Sequence, residues 1–446
     1  MITAVIGRQF LAAYNEKHGL ALSVDDYFSE HFVPLFFDHP KYLMDGGNAP
    51  LSNPKFKKGT YPDAPDRAVR KERWFKLLAE NPGGSSPLGF PTLDPQATTS
   101  GQVSTTAGLA VSTEEAMFSW LGGALGIGMQ GAVSLLVPVP AVLLAVEEGW
   151  HEYRRLLTER PELRPNQINT WNGQWLRHRS KSGGVVEVYD SDTFSVSDGV
   201  MSVETTPWLD VLLALARLLP AEARLLTVYA YSLGQMNTTI GFVPVDLSGV
   251  RSPILLYKKL FGDEEYARNT AFILSAYGTE FGFRKACAAG AIGTYALLPK
   301  GLRGLMPSAN GKDKLPSFQK ATDQQVVTYH VYITWLLAML NDDSLWSRAQ
   351  EAADLLYLHA SGGKKIGKSG DTAVKAVLEA ASRKQFIAAL TVVVAAANAQ
   401  QLDELRSLAQ RVDTMPPDNY GYFLTLVRFC YALAERQPAV QQQLSL

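Results

Sequence analysis

The stretch RLLTVYAYSLGQMNTTIGFVPVDL, residues 224–247, ends the part of this sequence in which strand patterns occur. Alternating apolar positions rich in aromatic and β-branched residues predict two strands, at 225–231 and 239–245. The polar segment between them predicts a loop that holds Gln235 and Asn237. We therefore expect a pair of antiparallel strands joined by a short polar connection.

A second group of strand signals lies upstream, in GGVVEVYDSDTFSVSDGVMSVET, residues 183–205. Apolar and polar residues alternate there, and turn signals occur at 190–192 and at Asp198 and Gly199. The segment predicts a small meander of antiparallel strands.

Downstream of Ser252 the periodicity becomes helical and remains so. Helices are predicted at 252–261, 264–277, 284–298, 322–340, 344–360, 372–397, 400–412 and 418–435. Short connectors separate the last helices, as in a helical bundle. The sequence thus predicts an α+β protein, with a mixed α/β body at 1–320 and a C-terminal α-helical bundle at 321–446.

Two segments of the predicted body need separate interpretation. Gly, Pro, Ser and Asn at 45–106 predict long surface loops around one short helix near 66–80. Residues 116–146 carry no charge and are long enough to span a bilayer, but glycines, Pro138 and Pro140 interrupt them. No Lys or Arg bias orients this segment either. We expect a buried helix followed by an apolar extended segment, and no membrane.

The composition limits the compartment and the class of partner. Cys287 and Cys430 lie too far apart in the sequence to indicate a metal site or a disulfide framework, and the first residues lack a secretory pattern. A cytoplasmic location fits best. The net charge of −1 excludes a globally basic nucleic-acid binder, but it allows basic residues to be segregated onto one face.

Residues 361–371, SGGKKIGKSGD, match the phosphate-loop pattern G-x-x-x-x-G-K-[ST] from Gly362 to Ser369. A phosphate loop needs a buried strand before it and a parallel sheet with a magnesium-binding aspartate after it. Here the preceding segment is helical, Gly370 and Asp371 interrupt the turn after Ser369, and only helices follow. We expect an exposed connection between two helices; a nucleotide-hydrolysing enzyme is the alternative.

Other catalytic patterns are lacking. The sequence has no GxSxG elbow, no GxGxxG after a strand and no HExxH helix, and its histidines make no metal-ligand spacing. The prediction is a protein that is not an enzyme and that uses no metal and no cofactor.

Two stretches concentrate positive charge, at 54–76 with a net charge of +5 and at 281–320 with a net charge of +6. Lys and Arg supply sequence-independent attraction to phosphates, aromatic rings can stack on unpaired bases, and Gln and Asn amides can read base edges. A solvated surface is the alternative for the basic runs, and an ordinary hairpin turn for the amides. The candidate nucleic-acid-binding residues are Asn48, Lys55, Lys57, Lys58, Gln235, Asn237, Arg284, Lys285, Lys300, Arg303, Lys364, Lys365 and Lys368.

The overall layout and two stretches carry a resemblance to a known family. YFSEHFVPLFFDHPKYLMDGGNAPLSNPKFKK at 27–58, and RKQFIAALTVVVAAANAQQLDELRSLAQRV with NYGYFLTLVRFCYALAE near the end, resemble the large subunit of type I CRISPR surveillance complexes (Cascade). Some members of that family carry a cysteine-rich zinc site, which two distant cysteines cannot form.

The resemblance implies a non-catalytic role in antiviral defence. Such a subunit recognises the protospacer-adjacent motif and stabilises the opened target DNA. Its partners would be the CRISPR guide RNA, target double-stranded DNA, other Cascade subunits and a helicase-nuclease recruited in trans. A structural interaction protein that binds no nucleic acid is the remaining alternative.

Overall fold

The computed structural model describes residues 2–44, 61–82, 111–181, 193–233, 235–279, 281–290, 292–299, 322–342, 344–362, 369–395 and 397–443. The fold is α+β, as the sequence predicts: a small antiparallel sheet lies in the N-terminal half, and the C-terminal region is helical. Among the described residues, none of the helices combines the length and the hydropathy that a membrane crossing requires.

The helices are α1 (Ile2–His18), α2 (Val24–Tyr27), α3 (Val33–Phe37), α4 (Ala64–Glu80), α5 (Thr113–Ala124), α6 (Pro140–Glu159), α7 (Ile168–Lys181), α8 (Trp208–Leu218), α9 (Leu247–Phe261), α10 (Asp263–Ala276), α11 (Phe283–Ala289), α12 (Asp323–Leu340), α13 (Ser344–Gly362), α14 (Ser369–Leu378), α15 (Arg383–Ala395), α16 (Ala399–Thr414) and α17 (Pro417–Gln443). The strands are β1 (Ile127–Met129), β2 (Val133–Leu136), β3 (Phe194–Ser197), β4 (Val200–Val203), β5 (Leu225–Ser232), β6 (Gln235–Asp246), β7 (Tyr277–Gly278) and β8 (Leu298–Pro299).

The chain forms two compact units. The first consists of Met1–Val250 and Phe281–Gly293, and the second of Arg251–Glu280 and Thr294–Leu446. The boundary predicted at residue 320 lies outside the described residues.

Helices α1 and α5 of the first unit pack so closely that their main chains are in contact. A Cβ placed on Gly7 would lie 2.1 Å from the carbonyl oxygen of Phe118, and a Cβ on Gly122 would lie 1.9 Å from that of Thr3. These contacts pair the two helices in opposite directions. Beside them, the hydroxyls of Thr3 and Ser119 form a buried hydrogen bond of 2.9 Å. Only glycine fits at such crossings, because any side chain would meet main-chain atoms.

Two indoles join α6 and α7. Trp171 Nε1 donates to the carbonyl of Gly149 at 2.6 Å, and Trp175 Nε1 donates to that of Ala145 at 2.7 Å. Both rings are buried, so each brings a large apolar surface together with a satisfied polar group into the core. The apolar segment at 116–146 belongs to this core. The buried helix expected there is α5, and an extended segment follows it as β1 and β2, but from Pro140 the chain is helical again, because α6 begins there with proline in its first turn.

The main sheet has the strand order β1-β2-β5-β6, and all neighbours are antiparallel. Strands β5 and β6 confirm the predicted pair, although β6 begins at Gln235, four residues before the predicted start at 239. Strands β3 and β4 form a separate hairpin whose turn lies at Asp198 and Gly199, where φ is 51° and 74°. Both residues were predicted as the turn; the upstream part of the predicted meander, 183–192, lies outside the described residues.

Two predicted helices are longer in the structure, since α9 begins at Leu247 instead of 252 and α17 ends at Gln443 instead of 435. Two others are wrong in a different way. The helix expected at 284–298 ends at Ala289, because Gly290 adopts a left-handed conformation with φ of 67°, and a short 3-10 turn and β8 follow. The helix expected at 372–397 is two helices, α14 and α15. At this break, Tyr420 Oη donates to the carbonyl of Ala380 at 3.0 Å, and Arg428 Nε donates to that of Leu378 at 2.5 Å.

A buried polar network lies in the core of the second unit. His330 Nδ1 and Tyr257 Oη both lie 2.7 Å from Glu265 Oε1, and the His330 ring stacks on Phe261 with centroids 3.6 Å apart. Burial lowers the pKa of His330 and raises the pKa of Tyr257. Neutral histidine and tyrosine therefore share this carboxylate within the helical core.

Candidate nucleic-acid interface

The candidate interface begins at the hairpin end of β5 and β6, where the ladder is irregular. Tyr231 pairs with Thr239, but the next residue of β5, Ser232, pairs with Gln235. One step along β5 thus corresponds to four steps along β6, so residues 236–238 form a bulge. Gln235 and Asn237 lie within strand β6, at this bulge, and not in the loop that the sequence predicted.

Helix α11 approaches the same hairpin end. Arg284, in its first turn, donates from Nη2 to Ser232 Oγ at 2.5 Å. Since Ser232 is the register partner of Gln235, two groups of candidate residues from distant parts of the sequence meet at this point. The candidates that the structure brings together are Gln235, Asn237, Arg284 and Lys285.

Both ends of the segment that carries α11 are fixed to the first unit. Before the helix, Trp208 Nε1 donates to the carbonyl of Phe281 at 3.0 Å, and the Trp208 ring meets Phe283 edge to face at 5.7 Å. After the helix, the Asp246 amide at the end of β6 donates to the carbonyl of Ile292 at 3.1 Å. A short helix of little intrinsic stability is therefore held in place by tertiary contacts.

The two cations of α11 are exposed. The ammonium of Lys285 lies 5.9 Å from the ring centroid of Phe281, a cation–π contact that leaves the charge accessible. Among the described residues, no carboxylate forms an ion pair with Arg284 or Lys285. Other cations of this unit are neutralised, such as Arg155, which bridges two glutamates. The positive charge of α11 is available to an anion.

Nine candidate residues lie outside the described residues. They are Asn48, Lys55, Lys57, Lys58, Lys300, Arg303, Lys364, Lys365 and Lys368. Of the phosphate-loop match, the structure describes the two ends. Helix α13 leads into Gly362, where a phosphate loop requires a strand. Gly370 and Asp371 do not interrupt the turn after Ser369, since they lie in the first turn of α14.

An aromatic pair near the hairpin end, with one exposed ring and one half-buried ring, was not among the predicted site residues. Tyr229 of β5 and Phe242 of β6 are register partners, and their rings meet edge to face with centroids 5.2 Å apart. Because side chains alternate along a strand, Phe242 and Val243 lie on opposite faces of the sheet. Alternation alone does not show which of the two faces is covered. In the structure Val243 is buried and Phe242 is 68% exposed.

Among the described residues, no group of three or more His, Cys, Asp and Glu side chains is arranged to hold a metal ion. The arrangement at the hairpin end offers instead two cations, a bulged strand and two aromatic rings. No protein-family model, no curated protein and no solved structure matches this chain.

Proposed function

We propose that this chain is a non-catalytic nucleic-acid-binding protein and that the hairpin end of β5 and β6 contacts the nucleic acid. The hydrogen bond from Arg284 to Ser232 carries this proposal, because it places an exposed cation beside the strand that holds Gln235 and Asn237. Cations attract phosphates of any sequence, whereas Gln and Asn amides can read base edges. Both kinds of contact then come from one site.

The finer proposal is a large subunit of a type I CRISPR surveillance complex (Cascade) that acts in the cytoplasm. The resemblance of the two terminal stretches and the layout of a mixed body before a helical region support it. In that role the chain recognises the protospacer-adjacent motif and stabilises the opened target DNA. Its partners are the guide RNA, target double-stranded DNA, other Cascade subunits and a helicase-nuclease recruited in trans.

Reversing both charges of α11 tests the binding site. We expect the double variant Arg284→Glu, Lys285→Glu to bind nucleic acid at least about tenfold more weakly at moderate salt, and to lower the log–log salt slope by about two, since each lost phosphate contact removes about 0.9. Fluorescence anisotropy with labelled DNA, repeated across a salt series, measures both quantities.

A matched control is the double reversal Lys375→Glu, Arg406→Glu in the second unit. Both of its side chains are exposed and form only loose ion pairs, of 3.8 and 3.7 Å. The control changes the net charge of the protein by the same amount. Equal losses in the two double variants would show that α11 acts only through the overall charge, and the proposed site would be rejected.

Co-expression with the operon partners and a guide RNA tests the finer proposal. We expect a complex that contains RNA and that retains this chain through gel filtration. A chain that elutes alone, while the purified protein still binds DNA, would overturn the CRISPR assignment but leave the binding proposal standing. A chain that binds neither DNA nor RNA is a structural interaction protein.

A further inference from the structure

We propose that the outer face of the β5–β6 hairpin around Thr227, Tyr229, Phe242 and Pro244 binds unpaired bases of a single strand of nucleic acid, with Tyr229 and Phe242 as the stacking rings. This inference rests on the proposed function, because it names the chemical form of nucleic acid that the same region takes. This face does not recognise base pairs. Its rings stack on the flat surfaces of unpaired bases.

The two faces of the hairpin differ in burial. Val228, Val243 and Val245 point into the core and are almost completely buried. On the outer face, Leu225 and Phe242 are each 68% exposed. Leu225 lies at the Asp246 end of the ladder, whereas Phe242 lies beside the half-exposed Tyr229. An exposed aromatic ring next to a second ring on a sheet face indicates a binding surface.

The geometry of the aromatic pair suits stacking. Tyr229 and Phe242 face each other across the ladder with an interplanar angle of 69°. The edge-to-face contact restricts the rotamers open to both rings, and the exposed ring of Phe242 remains open to a planar partner. A ring fixed before binding loses little conformational entropy when a base stacks on it.

An extended peptide fits this region less well. Strand β6 is at an edge of the sheet, where a peptide could add as a further strand. However, Pro244 lacks an amide hydrogen, and Gly241, with φ of 97°, lies next to the bulged part of β6. Both features protect edge strands against addition of another strand. The occupant is therefore recognised by the face of the hairpin and not by its edge.

The distribution of charge along the hairpin favours a polyanion. Arg284 contacts Ser232, three residues beyond Tyr229, which is roughly 10 Å along the strand. That separation is within the reach of a few nucleotides. The acidic residue of the ladder, Asp246, pairs with Leu225 at the opposite end, and its carboxylate accepts a hydrogen bond from the Gly249 amide at 2.9 Å. Phosphates are thus attracted toward the end that carries α11.

The test compares Phe242→Ala and Tyr229→Ala with Leu225→Ala. Leu225 is a matched control because it is as exposed as Phe242 but has no ring and lies beside Asp246 at the far end of the hairpin, outside the proposed surface. The probes are a labelled oligo(dT) of roughly 12 nucleotides and a duplex, bound by the full-length protein. We expect each aromatic variant to bind oligo(dT) about tenfold more weakly and Leu225→Ala to bind it within about twofold of wild type. The salt slope stays unchanged, since no charge is lost.

A second variant, Phe242→Trp, supplies a direct signal. Oligo(dT) should retain its affinity for this variant and quench the fluorescence of the added indole beyond the quenching of wild type. Equal losses for Phe242→Ala and Leu225→Ala, or unchanged quenching, would overturn the stacking role. If α11 reversal abolishes binding while Phe242→Ala and Tyr229→Ala preserve it, the proposed function stands and this inference fails. If wild type binds no probe, both fail.

Discussion

Gly122→Ala is expected to unfold the first unit or to lower its melting temperature by about 10 °C or more, because the added methyl group meets main-chain atoms of α1. The new Cβ would lie 1.9 Å from the carbonyl oxygen of Thr3 and 2.7 Å from the carbonyl carbon. Relief requires α1 and α5 to separate by about 1 Å, which opens voids along a close-packed interface. The main chain of a helix cannot relieve a steric clash by changing rotamer, as a flexible side chain can.

The cost should exceed that of ordinary overpacking, which is about 1–3 kcal/mol. Separation of α1 from α5 also weakens the Thr3–Ser119 hydrogen bond and the reciprocal contact at Gly7. We expect a loss of about 4 kcal/mol or more, a large share of the stability of a typical domain. Urea unfolding followed by circular dichroism, with hydrogen exchange of α1 and α5, measures it.

Gly282→Ala is the control for this prediction. A Cβ at Gly282 meets nothing within 4 Å, and its φ of −68° suits any residue. That variant should differ from wild type by less than about 0.5 kcal/mol. If Gly122→Ala were equally mild, α1 and α5 would not be packed as closely as the structure indicates.

The sequence predicts the C-terminal helices well where the start signals are local. The helix predicted at 322–340 is α12, and that predicted at 400–412 is α16; both begin with a capping box, at Thr322 and at Asn398. Each box is formed by residues three positions apart, so a short window contains the whole signal.

The errors have long-range causes. The break between α14 and α15 receives hydrogen bonds from Tyr420 and Arg428 on α17, about forty or more residues away. The periodicity of apolar residues along the sequence carries no information about such bonds. Strands β1 and β2 were not predicted as strands because every residue in them is buried, which removes the alternation that identifies a strand.

The candidate site was predictable in part. Arg284 and Gln235 were selected by charge and amide chemistry, but only the fold places Arg284 against Ser232, 52 positions away in the sequence. Phe242 was not selected, since an aromatic residue in a strand is usually a core residue. Its exposure depends on which face of the sheet the helices cover, and that is a tertiary property.

Lys41→Met is expected to destabilise the first unit by about 3 kcal/mol or more, because it removes the donor for three carbonyls at once. The buried ammonium of Lys41 donates to Arg160 at 3.0 Å, to Pro161 at 2.6 Å and to Leu163 at 2.9 Å. Burial lowers the pKa of Lys41, yet three oxygens replace the water that the charge has lost. Met fills a similar volume and satisfies none of them.

The position of these three carbonyls shows which part of the structure should loosen when Lys41 is replaced. They lie in the segment that pairs with β4, where the Met201 amide donates to Glu162 at 2.9 Å and the Arg164 amide donates to Met201 at 2.8 Å. Loss of the ammonium should therefore accelerate hydrogen exchange at the Met201 amide before the helices open. Lys76→Met, at an exposed position on α4, should leave both exchange and stability unchanged. If Lys41→Met costs less than about 1 kcal/mol, water must replace the ammonium at these carbonyls, and Lys41 does not hold the segment against β4.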